Sequence, residues 1–555
     1  MSLAVERKLG DRIAREIYRD PDYVDDPLLA DYVQAIWGPL QAAARARGEM
    51  SQEMEERFAW GLLLIRDRSV NAFALPGGYM GVHLGLIAVV ASRDELASVL
   101  GHELSHVTQR HISRLTTQQG QQAPWMIAAM VLGALAASKS PNLANAVIAG
   151  SQAAAVQSSL NFSRDMEREA DRIGYNVMTQ AGYQPQAFVS MFEKLQQASR
   201  LNDNGAYPYL RSHPLTSQRI ADMQLRVSSE AAARVSPTPL SLAPSATPSI
   251  LALPMLTSQA TTANATQLSA DLTHSMMAAR ARILSDPGVD ALRTWATEAD
   301  SNTNANADLA ANGNMKSSVD ARASTPPGQL SAQARQVGTL YGAVLASMKL
   351  REFAQAQRLL GRLQNAVRFN ANAVRLARLL AVEMALQNGD LAMAESQINP
   401  SATDRPEMFL LAQVALLQHK KSLERLMPER LSNGAGSARI ADYNTTNITP
   451  LADVLQRLEA WVMVHPQDAG AWQQIANVAA AQNLTLRALR AEAEVQAANL
   501  DFPAAVDRFR AAQDFAARSG LGGQPGDHIE ASIIDTRLRQ MQATVKELAK
   551  EQAKR

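Results

Sequence analysis

Cysteine is absent from the 555-residue chain, which excludes disulfides and thiolate metal sites and leaves any metal to histidine and carboxylate donors. An excess of one charge is missing too: 54 Lys+Arg against 53 Asp+Glu leave a formal net charge of +1, so neither nucleic acid nor an anionic membrane is favoured as the main partner. No apolar run matches the ~20 residues that a bilayer-crossing helix needs. The longest, PWMIAAMVLGALAA from Pro124 to Ala137, reads as a buried helix, with a lid or a segment dipping into a membrane surface as alternatives, so membrane contact is peripheral at most. The start, MSLAVERKLGDRIAREIY, lacks the basic beginning and continuous apolar core of a secretory signal, which leaves a cytoplasmic protein or an already processed chain.

What is present is an ordinary globular composition, 46% hydrophobic and 19% charged, in a chain long enough for more than one domain. Residues 1–230 alternate amphipathic helices with apolar strands around Leu75-Pro76-Gly77-Gly78, which predicts a small sheet with a hairpin. From Ser236 the composition turns to SPTPLSLAPSATPSILALP and TSQATTANATQ, so 231–270 reads as a Pro/Ser/Thr/Ala-rich linker. A helical segment over 271–298 and an Asn/Ala-rich flexible insertion over 299–330 follow. Residues 331–520 show helix pairs joined by one kind of short turn, KLREFAQAQ, NGDLAMAES and NLDFPAAVD, the first two 38 residues apart from Phe353 to Leu391. Ala356, Ala394 and Ala505 stand just inside the second helix of each pair, and Trp472, Ile475 and Ala476 complete a degenerate tetratricopeptide (TPR) pattern, whose concave face binds peptide or protein. An ordinary helical domain without a ligand is the alternative, and 521–555 is a charged helical tail whose end, VKELAKEQAKR, reads as a solvated helix.

The chemistry concentrates in VLGHELSHVTQRH. Residues i and i+4 share a helix face, so His102 and His106 converge on one point with Glu103 between them, the HExxH arrangement of zinc hydrolases. Ser92 and Glu95 form a capping box that starts the helix, predicted over about Ser92 to Leu115. The stripe Leu96, Leu100, Leu104, Val107 buries it, and buried histidines need a partner. A third ligand at the HExxHxxGxxH position fails, because Gln109 and Ile112 stand where Gly and His are required, and His111 is off by one on the apolar stripe. The helix in NFSRDMEREADRIGYNVMTQAG supplies a better candidate, Glu167, with Asp171 one turn on to hold the free ring nitrogen of a ligating histidine, or alternatively paired to Arg172 or Arg168. Zinc would activate water and polarise a carbonyl, and Glu103 would take the water proton and pass it to the leaving amine, which is peptide-bond hydrolysis.

HELSH, SRDMEREAD and RSHPLTSQRIADM together resemble the zinc peptidase family that includes HtpX and the CAAX prenyl endopeptidases. The resemblance implies a mainly α fold: a zincin-like metallopeptidase domain of helices and a small β-sheet, followed by a TPR-like α-helical repeat domain. It implies one Zn2+ per chain on His102, His106 and Glu167, Glu103 as base, and Asn71 and Phe73 beside a substrate cleft whose strand edge accepts an extended peptide. His213 would be able to occupy the fourth zinc position and hold the enzyme latent, with a surface-loop histidine as the alternative. Arg219 would stabilise the oxyanion, or serve as a structural ion pair. The resemblance further implies a periplasmic location, misfolded or misassembled outer-membrane proteins as substrates, and repeats that bind substrate or the β-barrel assembly machinery. A chaperone or scaffold with a latent zinc site is the competing function, and a membrane-surface protease using Trp125 to Ala137 as a wedge is a third.

Overall fold

The computed structural model describes residues 1–118, 164–200, 207–235, 256–285, 287–299, 332–432, 450–519 and 526–553. The run Pro124–Ala137 lies outside the described residues, as does almost all of the insertion 299–330. The chain divides into two compact units, Met1–Glu16 with Pro21–Leu376, and Ile17–Asp20 with Ala377–Arg555. Among the described residues, no helix is long and apolar enough to cross a membrane.

In the first unit, α1 (Leu3–Arg19) precedes α2 (Pro27–Ala46), which begins where the Asp26 carboxylate accepts from the Leu29 N–H at 2.9 Å and Pro27 fills the first turn. Leu29, Val33, Ile36, Trp37 and Leu40 form its buried face. After the short α3 (Gln52–Arg57) come β1 (Leu62–Ile65), β2 (Ala72–Leu75) and β3 (Tyr79–His83), in the order β1-β3-β2. The predicted hairpin is β2–β3, antiparallel with Phe73 opposite Gly81, and β1 adds a parallel neighbour to β3. Its turn demands glycine: Gly77 and Gly78 have φ of 72° and 83°, and a Cβ at either would lie 2.7 Å from Arg7 Cα or 2.8 Å from Phe58 Cβ.

Two further helices, α4 (Leu84–Val89) and α5 (Arg93–Thr108), follow. Every residue of α5 from Asp94 to Thr108 is buried, enclosed by α2, β2, α7 (Arg164–Gln180) and α8 (Gln186–Arg200). The helix does not reach Leu115 as predicted. It stops at Gln109, Arg110 takes a left-handed φ of 54°, and α6 (His111–Gln118) starts afresh. Helical propensity alone does not reveal this break, because a tertiary contact holds it: Glu6, 2% exposed, accepts from Arg110 Nε at 3.0 Å and Nη2 at 2.8 Å. The short α9 (Tyr209–Ser212) and α10 (Ser217–Val235) complete the part of the unit that bears the site.

The next helix, α11 (Leu256–Leu284), begins inside the stretch read from composition as linker, and it packs on α2, α4 and α12 (Ala332–Lys349). Two buried polar anchors dock it. Arg280 Nη2 donates to Asp26 Oδ2 at 2.6 Å, and His274 lies 2.6 Å from the Tyr32 hydroxyl and 2.9 Å from the Val90 carbonyl. Such anchors are invisible to a composition window. Burial pushes His274 down to about 4 and His83 likewise to about 4, against an ordinary value of 6.5. Between pH 6.5 and 4 the unfolded chain therefore binds protons that the folded one does not, so stability is full above about 6.5 and is lost as pH falls towards 4. Each histidine contributes a loss on the order of 2–3 kcal/mol at pH 4.5. The drop in urea-unfolding stability from pH 7 to pH 4.5 is expected to shrink in His274→Gln; an equal drop in variant and wild type would contradict this.

The KLREFAQAQ turn joins α12 to α13 (Phe353–Val367), still within the first unit. The division falls in α14 (Ala371–Asn388), and the second unit continues with α15 (Leu391–Gln397), α16 (Arg405–Ser432), α17 (Leu451–Val464), α18 (Ala469–Ala481), α19 (Thr485–Ala498), α20 (Phe502–Ser519) and α21 (Asp527–Ala553). The three turns share one geometry, and a fourth has it too. Arg351, Gly389, Asn483 and Leu500 have φ between 60° and 71°, and the following N–H of Glu352, Asp390, Leu484 and Asp501 reaches back to the carbonyl of Ser347, Ala385, Ala479 and Gln496 at 2.8–2.9 Å. This is a Schellman stop, which satisfies end carbonyls and reverses the chain in few residues. Ala356, Ala394 and Ala505 are fully buried just beyond it, Ala488 nearly so. Trp472, Ile475 and Ala476 sit in one core with Leu455 and Leu458. In the tail, α21 buries Ile534, Leu538 and Met541 against α20, with exposed Thr536, Arg539 and Gln540 between them.

Candidate metal centre

The start of α5 is fixed by the predicted box. Ser92 Oγ accepts from Glu95 N–H at 3.1 Å, and Glu95 reaches back to Ala91 N–H at 2.6 Å while also accepting from Ser190 and Lys194 of α8. Three turns on, α5 meets α7 at two glycines: a Cβ on Gly174 would lie 2.9 Å from His102 N and 3.0 Å from Gly101. That approach brings the carboxylates of α7 to the imidazoles of α5.

His102, His106, Glu167 and His213 each offer a ligand atom, all within 4.8 Å of one another and all buried. His102 Nε2 and His106 Nε2 are 3.0 Å apart, each 3.5 Å from a Glu167 oxygen. His213 Nδ1 lies 3.0 Å from Glu167 Oε1 and 3.4 Å from His102 Nε2, its ring stacked on Tyr209 at 4.6 Å. At 2% exposure it is no surface-loop histidine. Three imidazoles and a carboxylate aimed at one point are the donor set that suits zinc.

Around these lie the residues that hold them. Asp171 Oδ1 is 2.9 Å from His102 Nδ1, where the sequence placed it, but its cation is neither Arg172 nor Arg168. Arg219, 3% exposed, donates to Asp171 through Nε at 2.6 Å and Nη2 at 2.8 Å, and its Nη1 is 2.8 Å from Glu167 Oε2 and from the Pro214 carbonyl. Burial opposes ionisation of Asp171 and Glu167. Arg219 nevertheless holds the Asp171 carboxyl below the ordinary range, and His213 and His102 hold Glu167 well below it. Burial also opposes charge on His102, yet hydrogen bonds to Asp171 and Glu167 raise it to about 9, whereas burial and the neighbouring His102 push His106 well down.

The Glu103 carboxylate accepts from Ala74 N–H of β2 through Oε2 at 3.0 Å, and its Oε1 is 3.4 Å from His213 Nε2. Thus β2, an outer strand of its sheet, runs past the cluster. Asn71 precedes β2 and accepts from His83 N–H at 3.0 Å; Phe73 is half-buried, over Gly81 and edge-on to His83. Sequence reasoning missed Tyr209, which no spacing rule singles out, and His111, whose Nδ1 lies 2.8 Å from His106 Nδ1. The signal for His111 was the sequence HVTQRH, set aside because it is one residue off the HExxHxxGxxH position and falls on the apolar stripe of an unbroken helix.

A helix carrying HExxH, a second helix supplying Glu167 and Asp171, and a short strand beside Glu103 define a metallopeptidase domain. Residues 40–227 match Peptidase family M48. The chain is 34% identical over 245 residues to the putative beta-barrel assembly-enhancing protease of Vibrio cholerae serotype O1, covering 44% of this chain and 47% of that protein. It is 32% identical over 226 residues to the beta-barrel assembly-enhancing protease of Escherichia coli strain K12, 41% and 44% of the two chains. The mitochondrial metalloendopeptidase OMA1 of Arabidopsis thaliana is 34% identical over 164 residues, 30% of this chain and 31% of that one. Each match spans less than half the relative's length.

Proposed function

We propose that this protein is a zinc-dependent endopeptidase that hydrolyses misfolded or misassembled outer-membrane proteins in the periplasm, with the helical second unit binding substrate or the β-barrel assembly machinery. The observation that carries the reading is the buried convergence of His102, His106, Glu167 and His213 in a chain matching an M48 peptidase. The names of the two bacterial relatives support the substrate class. One zinc held by His102, His106 and Glu167 supplies Lewis acidity that activates water and polarises the scissile carbonyl. Glu103 takes the water proton as general base and delivers it to the leaving amine. The Ala74 N–H holds Glu103 Oε2 and so orients the carboxylate. Asp171 fixes the His102 ring, and Arg219 acts by holding Asp171 and Glu167 in place. A substrate strand runs along β2 past Asn71 and Phe73. Net charge of +1 offers no basis for nucleic acid as partner.

A second reading, a chaperone or scaffold with a latent zinc site, is favoured by His213, whose Nδ1 points into the cluster and whose ring is stacked on Tyr209. Casein cleavage by zinc-loaded enzyme, by chelator-treated enzyme and by His213→Ala separates the two. Cleavage abolished by chelation and restored by zinc is expected, with His213→Ala faster than wild type by tenfold or more if His213 acts as a latch. No cleavage by any of the three would transfer the function to the helical unit.

A further inference from the structure

We propose that His111 is a positioning residue for the metal centre, holding the outward nitrogen of His106 and thereby fixing the direction in which His106 presents its other nitrogen to the metal. The inference rests on the reading of His106 as a zinc ligand.

On an unbroken helix, position 111 would lie about 140° around the axis from His106, out of its reach. The left-handed turn at Arg110, anchored on buried Glu6, swings α6 back so that the two rings meet at 4.8 Å with an interplanar angle of 77°. Both are buried, His106 at 1% and His111 at 0% exposure. His106 Nε2 faces His102 and Glu167, so the nitrogen left for a proton is Nδ1, which is 2.8 Å from His111 Nδ1. If His106 donates there, His111 Nδ1 accepts and the ring's own proton must sit on Nε2, which is 3.1 Å from Glu169 Oε2. Arg114 Nη1, 2.8 Å from the same Glu169 oxygen, keeps that acceptor charged. The direction of donation runs outward from the metal site to a half-exposed carboxylate. His102 has the same arrangement in shorter form, with Asp171 directly on its Nδ1 and Arg219 behind. The two histidines are thus each locked at the outer nitrogen, one by a buried ion pair and one by a histidine relay.

Groups that orient a ligating imidazole typically contribute 10–100-fold in metal affinity. His111→Leu, which keeps bulk and removes the acceptor, is expected to weaken zinc binding to the metal-free full chain by that factor, measured against a chromophoric chelator, and to change the visible spectrum of the cobalt-substituted protein. His111→Gln, with a side-chain oxygen to accept from His106, is expected to recover most of the affinity, which restoration of packing alone would not do. Glu169→Ala, at the exposed end, should weaken binding a few-fold. A folded His111→Leu with wild-type zinc affinity and cobalt spectrum overturns the proposal, as does unchanged affinity in Glu169→Ala should His111→Leu fail to fold. His102→Ala distinguishes the levels: if it abolishes binding while His111→Leu leaves the affinity unchanged, the relay alone is wrong; if wild type binds no zinc, the metal reading and the relay fall together.

Discussion

Replacing Glu103 by Gln is expected to lower hydrolysis of casein by about 10²–10⁴-fold while the protein still binds one zinc per chain. The substitution is chosen for what it keeps. Glu103 is outside the four-residue donor cluster, so the metal donors are untouched. Its Oε2 accepts from Ala74 N–H, and a glutamine oxygen can still accept that bond, so the joint between α5 and β2 survives. The lost property is the capacity to take a proton from water and return it to an amine. The measurement pairs initial rates with zinc content, and repeats both in the His213→Ala background so that a closed site cannot mask the effect. A rate within tenfold of wild type would remove Glu103 from the base role; loss of zinc would mean that the carboxylate holds the cluster rather than the proton.

Local periodicity made the chemistry legible in the sequence because its parts obey it. His102 and His106 need only the i, i+4 rule, and Glu167 and Asp171 the same rule on a second helix. The repeat turns were visible for a similar reason, since Ala356, Ala394 and Ala505 recur at one offset from Arg351, Gly389 and Leu500; the fourth turn, at Asn483, was missed because Leu484 and Thr485 carry no match to the other three. What periodicity could not show was decided by contacts between distant residues. The stop at Arg110 depends on Glu6, the docking of α11 depends on Asp26 and Tyr32, and all three partners lie more than a hundred residues earlier in the chain. The same cause pairs Arg219, for which the resemblance implied an oxyanion group with a structural ion pair as the alternative, to Asp171 at 2.6 and 2.8 Å. A salt-bridge partner was sought among its helix neighbours, Arg168 and Arg172, while the actual one came from a helix beyond His213.

Gly174→Val should cost both stability and metal binding, although the residue bears no donor. Its Cα sits against Gly101, and an added Cβ would come to 2.9 Å from His102 N and 3.0 Å from the Gly101 carbonyl group. These neighbours are backbone, so no rotamer change relieves the overlap, and α5 and α7 must separate. Overpacking of this kind typically costs about 1–3 kcal/mol. The separation opens the ligand geometry at the same place, since His102 lies on one side of the contact and Glu167 and Asp171 on the other, at 3.5 Å and 2.9 Å. A shift near 1 Å in such a site is enough to cost about 10²-fold in function. Thermal unfolding of the metal-free chain, followed by zinc titration, checks both effects. Gly174→Ala should show a smaller loss, and Gly38→Ala, with no atom within 4 Å, should show none. Wild-type zinc affinity in Gly174→Val would mean that the α5–α7 spacing does not set the metal geometry. A weakened site in a variant that still folds would mean that two facing glycines, as much as the histidines, specify where the ligands converge.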